Sequence, residues 1–139
     1  MIDFVYEADF KIVDPKKYTD WLKEIIISEA KIPGNLCFIL STDEKVLEIN
    51  EKYLGHTDLT DVITFDYTKG NEVHGDIFIS FDRIKDNAEK YKVQIDEELR
   101  RVMAHGVLHL MGYTDKTSEE KKEIRRKEDE KLRMFHVEQ

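Results

Sequence analysis

His105 and His109 stand four residues apart in the stretch Ala104-His105-Gly106-Val107-Leu108-His109-Leu110-Met111-Gly112-Tyr113-Thr114-Asp115. At that spacing on a helix, two imidazoles lie one turn apart on the same face, where both can reach one metal ion. Gly112 suits a helix end in the left-handed conformation, so the chain can turn and bring Asp115 back toward the same ion. Two imidazoles and a carboxylate leave a coordination position open, as a catalytic divalent metal requires. The pattern therefore points to a metal-dependent hydrolase.

The competing interpretation is a pair of half-buried histidines hydrogen-bonded to backbone. Around the pair the helix is apolar, with Leu99, Val102, Met103, Val107, Leu108, Leu110 and Met111. A buried polar side chain needs a partner, and two side by side need a shared reason. In His-Glu-x-x-His peptidases the residue after the first histidine is the general base. Gly106 occupies that position here, which argues against proteolysis. A glycine there leaves room for a neighbouring element or a substrate backbone to approach.

The elements that must position this helix can be read from periodicity. Phe4 to Tyr6 reads as a first strand. Asp14 and Pro15 open a helix whose apolar stripe is Tyr18, Trp21, Leu22, Ile25 and Ile26, and Pro33-Gly34 closes the segment. Leu36 to Leu40 is a buried strand containing Cys37, an inert core thiol. Ser41 and Glu44 form a capping-box signature for a helix running to about Tyr53. Val62 to Tyr67 and Gly75 to Ser80 read as strands joined in a hairpin through Lys69-Gly70-Asn71. Asp82 caps a helix to about Tyr91, Asp96 caps the helix of the histidine pair, and Ser118 starts a charged C-terminal helix. This order predicts an α+β fold with a mixed, mostly parallel sheet of about four strands packed with helices.

A chain of 139 residues suits one domain spanning 1–139, and 40% hydrophobic residues can supply its core. The sequence has no run of about 20 apolar residues, so no membrane span is expected. A lone cysteine and an acidic N-terminus without signal-peptide character point to the cytoplasm. The net charge of −8 excludes a generally basic surface, so any nucleic-acid contact must be local. Arg100, Arg101 and Lys116 flank the histidine pair, and Arg101, four residues before His105, shares its side of the helix. The tail bases Lys121, Lys122, Arg125, Arg126 and Lys127 are interleaved with acids and read as a solvated face.

Three motifs in order carry a resemblance over nearly the whole chain. His105-Gly106-Val107-Leu108-His109-Leu110-Met111-Gly112-Tyr113 matches a His-Gly-x-Leu-His-Leu-x-Gly-Tyr segment. Thr60-Asp61-Val62-Ile63-Thr64-Phe65 looks like Thr-Asp-Val-Leu-Ser-Phe, and Gly75-Asp76-Ile77 looks like a Gly-Asp-Ile strand start. In these the chain resembles the YbeY family of bacterial endoribonucleases and rRNA maturation factors. The resemblance implies a zincin-like fold and one metal, zinc or another divalent ion, held by His105, His109 and Asp115. It also implies a single-strand-specific endoribonuclease acting in 16S rRNA 3′-end maturation and ribosome quality control. RNA and the small ribosomal subunit would be its partners.

Two departures stand out. The family's third histidine is replaced by Asp115, a competent zinc ligand whose harder oxygen also suits manganese or iron. Thr114 beside it is a poorer donor. Leu54 stands where the family usually has an arginine, which removes an expected phosphate contact; His56 or Lys52 are the nearby substitutes. Asp61 and Asp76 are each read equally as turn-holding or functional, and His74 and His136 as solvent-facing. No dedicated general base is visible, and water and the RNA 2′-hydroxyl both stand as nucleophiles. The alternatives are a non-catalytic assembly factor with a structural metal and a metal hydrolase of a small phosphoester.

Overall fold

A computed structural model describes residues 1–135 of the 139; His136 lies outside the described residues. The order is β1 (Ile2–Tyr6), α1 (Pro15–Ser28), β2 (Ile32–Ser41), α2 (Asp43–Ile49), a π-helical turn (Asn50–Leu54), β3 (Val62–Asp66), β4 (Glu72–Ser80), α3 (Phe81–Tyr91), α4 (Ile95–Leu110) and α5 (Ser118–Leu132). The four strands form one sheet in the order β1-β2-β4-β3. β1 and β4 both pair with β2 in parallel, and β3 pairs antiparallel with β4 as a hairpin. The fold is α+β with a mixed, mostly parallel sheet, as the pattern of elements predicts.

Period-two alternation decides which face of the sheet is covered. Leu36, Phe38 and Leu40 of β2 and Val73, Ile77 and Ile79 of β4 point into the main core. There they meet Trp21, Leu22, Ile25 and Ile26 of α1 and Leu99, Met103, Val107 and Leu110 of α4. Burying one such side chain contributes about 1.5–3 kcal/mol, so this layer holds α4 firmly against the sheet. On the opposite face α2 packs Val46 and Ile49 against Ile63, with Phe65 and Phe78 alongside. A Cβ on Gly106 would stand 3.1 Å from a methyl of Ile77 and 3.5 Å from one of Thr64. The small side of α4 thus faces the sheet, a neighbouring element and not a substrate.

Several helix starts fall beside the expected residue. Thr42 and Ser80 are the N-caps of α2 and α3, in place of Ser41 and Asp82, whereas α5 starts at Ser118 as expected, with Thr117 as its N-cap. Each accepts from the backbone N–H three residues on, and Thr117 with Glu120 completes a capping box. Asp82 instead accepts from the backbone N–H of Asp43, tying α3 to α2. α4 is capped by Gln94 without a side-chain bond, and Asp96 lies in its first turn, where its charge favours the helix dipole. Pro33-Gly34 does not end α1 but lies within β2, at an irregularity between Pro33 and Leu36. A proline cannot donate to a ladder, and bulges are where sheets tolerate it.

Candidate metal centre

The last two turns of α4 present both imidazoles on one side of the helix, with Nε2 of His105 and Nε2 of His109 2.9 Å apart. Met111 ends the helix and Gly112 follows at φ 100°, a conformation that L side chains rarely adopt. That turn reverses the chain and brings Asp115 back. Its Oδ2 lies 3.4 Å from Nε2 of His105 and 3.6 Å from Nε2 of His109. One donor atom from each of the three residues falls within 4.8 Å of the others. Thr114, beside Asp115, is exposed.

The outer nitrogens fix which atoms face inward. Nδ1 of His109 donates to the carbonyl of Tyr113 at 2.9 Å. A carbonyl only accepts, so Nδ1 carries the hydrogen and Nε2 of the neutral ring presents a lone pair. Nδ1 of His105 bonds Oε2 of Glu128 at 2.6 Å, which gives the same tautomer. Two Nε2 nitrogens and a carboxylate oxygen then converge on one point, where either a shared proton or a bound cation relieves the repulsion of their lone pairs. A divalent metal fits this donor set, and the hydrogen bonds behind it are those that orient ligating imidazoles. Burial alone would lower the pKa of His105, but the hydrogen bond and charge of Glu128, with Asp115 and Asp61, outweigh it and raise the value.

Glu128 is the residue that sequence reasoning passed over as one acid among many in the tail. Its side chain is 6% exposed, and Arg101 donates to its Oε1 at 3.1 Å. Arg101 also binds Asp129 at 2.8 Å. Arg101 is therefore engaged in a structural ion pair and is not free for RNA, although it does lie beside His105. Arg100 points elsewhere, toward the hydroxyl of Tyr18 and the ring of Phe135. A signal for Glu128 exists in the sequence: it shares the buried face of α5 with Ile124 and Lys131.

Tyr113 is held in turn. Its hydroxyl donates to Glu29 at 2.6 Å, and Glu29 also accepts from Lys127 and Lys131 at 3.0 and 2.7 Å. Burial works against the Glu29 carboxylate, yet these three donors hold its pKa at about 2. The backbone carbonyl that orients His109 is thereby anchored to the end of α1 and to α5.

The cluster opens into a cleft of about 480 Å³ lined by Leu54, His56, Leu59, Thr60 and Asp61. Asp61, at the start of β3, stands beside the cluster, and burial raises its carboxyl pKa. Asp76 does not belong to the site; it lines a groove on the other side of the sheet, with Tyr53 and Phe78. Lys52 lines that groove too, whereas His56 shares the cleft with Leu54. His74 is not solvent-facing: its side chain is 19% exposed and bridges the backbone N–H of Asn35 and the carboxylate of Glu72. Cys37 is half-buried on β2 and takes no part in the cluster.

A family model described as Endoribonuclease YbeY matches residues 4–136. The chain is 51% identical to a Flavobacterium psychrophilum protein named Endoribonuclease YbeY, covering 100% of this chain and 99% of that one. It is 50% identical to the protein of the same name from Flavobacterium johnsoniae, covering both chains fully (100%). The solution structure of a Thermotoga maritima protein superimposes with a TM-score of 0.69 at 26% identity, over 97% of this chain and 89% of that one.

Proposed function

The chain belongs to the YbeY endoribonuclease family, and on that premise we propose that it is a single-domain, metal-dependent endoribonuclease. His105, His109 and Asp115 hold one divalent ion, zinc by the nitrogen-rich donor set, with manganese or iron admitted by the carboxylate. The observation that carries this reading is the convergence of three donor atoms within 4.8 Å at the end of an open cleft. When bound, the metal lowers the pKa of a coordinated water and polarises a phosphate oxygen. The protein's part is to keep both Nδ1 atoms protonated and both Nε2 lone pairs aimed inward, through Glu128 and the Tyr113 carbonyl. Asp115 supplies the one negative charge in the ligand set, and Asp61 is the further carboxyl facing the same space.

The substrate is single-stranded RNA, and the biological role is 16S rRNA 3′-end maturation and ribosome quality control on the small subunit, in the cytoplasm. The names of the Flavobacterium relatives support the endonuclease part of this reading, and the motif resemblance supports the rRNA part. Among the described residues no helix is long and apolar enough to cross a membrane. A purely structural metal is disfavoured because the cluster, among the described residues, has three members and no fourth side chain.

Elemental analysis joined to cleavage of structured rRNA fragments tests the proposal. Native protein should carry about one equivalent of metal and cut the RNA, whereas His109→Ala should lose both. Cleavage that survives in metal-free His109→Ala would overturn it.

A further inference from the structure

The charged tail looks mixed in sequence, but folding sorts it. Ser118, Lys121, Lys122, Arg125, Arg126 and Asp129 recur at three- and four-residue spacing and line one shallow surface of α5. Glu119, Glu120, Glu123 and Glu130 fall outside that stripe. The one acid within it, Asp129, is neutralised by Arg101 at 2.8 Å. Arg126 is held by Glu123 at 2.6 Å. Lys121 and Lys122 have no carboxylate within ion-pair distance among the described residues. Arg125 comes only to 3.8 Å of Glu128, whose oxygen already accepts from Arg101, and its side chain is 62% exposed. In a chain of net charge −8, two unpaired lysines and a loosely paired, exposed arginine on one stripe are a local exception.

This stripe is continuous with the metal centre. A second cleft, of about 320 Å³, shares Asp61, His105 and Asp115 with the first and shares Lys121 and Arg125 with the basic surface. Besides Asp61 and Asp115 at the metal cluster, its acids are Glu98 and Glu128, which are 6% and 4% exposed and so form the floor and not the rim. On the far rim, at the end of α3, Tyr91 is 57% exposed. The Lys90 ammonium lies 5.4 Å from the centroid of this exposed ring, and an exposed ring beside cations is the combination that binds single strands: bases stack on the ring and phosphates meet the charges.

We propose that Lys121, Lys122 and Arg125 form a phosphate track that carries the RNA strand away from the metal centre across α5, with one base stacked on Tyr91 at its entrance. This rests on the endoribonuclease reading and assigns the path of its substrate on the α5 side. It also answers how an acidic chain lacking an arginine at Leu54 engages a polyanion.

The test uses full-length protein and a fluorescein-labelled 2′-O-methyl oligouridylate of about 12 nucleotides, within the range of single-strand site sizes. Binding is followed by anisotropy over a salt series, with cleavage of unmodified RNA measured in parallel. Replacing Lys121 and Arg125 together by alanine should weaken binding and flatten the slope of log affinity against log salt by about 1.4, at about 0.7 per phosphate. The pair Lys11→Ala with Lys23→Ala removes equal charge away from both clefts and should leave the slope unchanged. Tyr91→Ala should weaken binding about tenfold, and Tyr91→Phe should restore it. An α5 double variant that matches the native slope, or a control pair that lowers it equally, overturns the track, as does native protein that fails to bind. If the native slope depends on α5 but cleavage is the same in native and His109→Ala protein, the track stands and the endonuclease reading falls.

Discussion

Oε2 of Glu128 accepts from Nδ1 of His105 at 2.6 Å, joining residues that lie 23 apart in the chain. The bond crosses from α4 to α5, so the C-terminal helix helps to define the metal centre although it contributes no member of the cluster. Arg101 donates to the other carboxylate oxygen of the buried Glu128 at 3.1 Å. A carboxylate behind an imidazole raises its basicity and fixes its ring, which strengthens metal binding.

Glu128→Gln should therefore lower metal affinity about 10- to 100-fold while leaving the fold intact. Competition against a chromophoric chelator measures the affinity, and far-UV circular dichroism checks the fold. Native-strength binding in the variant would show that the His105 tautomer does not depend on this carboxylate.

Asp115→Ala should weaken the metal site by more than the about 10- to 100-fold loss expected when an outer-shell partner is removed. Asp115→His should preserve or tighten it, since imidazole is a good zinc ligand at the same turn. If the alanine variant binds metal as tightly as the parent, the third ligand is not Asp115.

Arg101→Ala should destabilise the protein by about 3 kcal/mol, because it leaves the carboxylate of Glu128 buried without its main cationic partner. Urea unfolding measures this. The salt slope of RNA binding should stay native, since the guanidinium is engaged with Glu128 and Asp129. A flattened slope with unchanged stability would reverse the assignment.

Glu29 gives the protein a definite acid weakness. Its folded pKa of about 2 lies below the ordinary 4.5, so the unfolded chain binds the proton more tightly. The resulting stabilisation is fully present above pH 4.5 and is lost as pH falls toward 2. Glu29→Gln should be less stable than native protein at neutral pH, and the gap should close across that window. Denaturant unfolding at several pH values shows it; a gap independent of pH would mean that charge on Glu29 is not what stabilises the α1–α5 junction.

The sequence by itself determined the features that are local. Four-residue spacing put His105 and His109 on one face, a glycine with positive φ made the turn to Asp115, and two- and 3.6-residue periods specified four strands and the helices that cover them. These follow from backbone geometry within a few residues, as does the mostly parallel sheet implied by alternating strands and helices. Cap positions slipped by one or two residues because neighbouring polar side chains can serve the same N–H groups, and only the strand or loop before the helix decides where it starts. Tertiary structure alone decided the partners across the chain. Charge spacing made Arg101 look free for RNA, and packing of α5 on α4 delivered Glu128 and Asp129 to it. The same packing fixed the rotation of α5, which buried Ile124, Glu128 and Lys131 and so turned Lys121, Lys122 and Arg125 outward together. A helix whose charges look mixed in one dimension has no defined face until something apolar is placed against it.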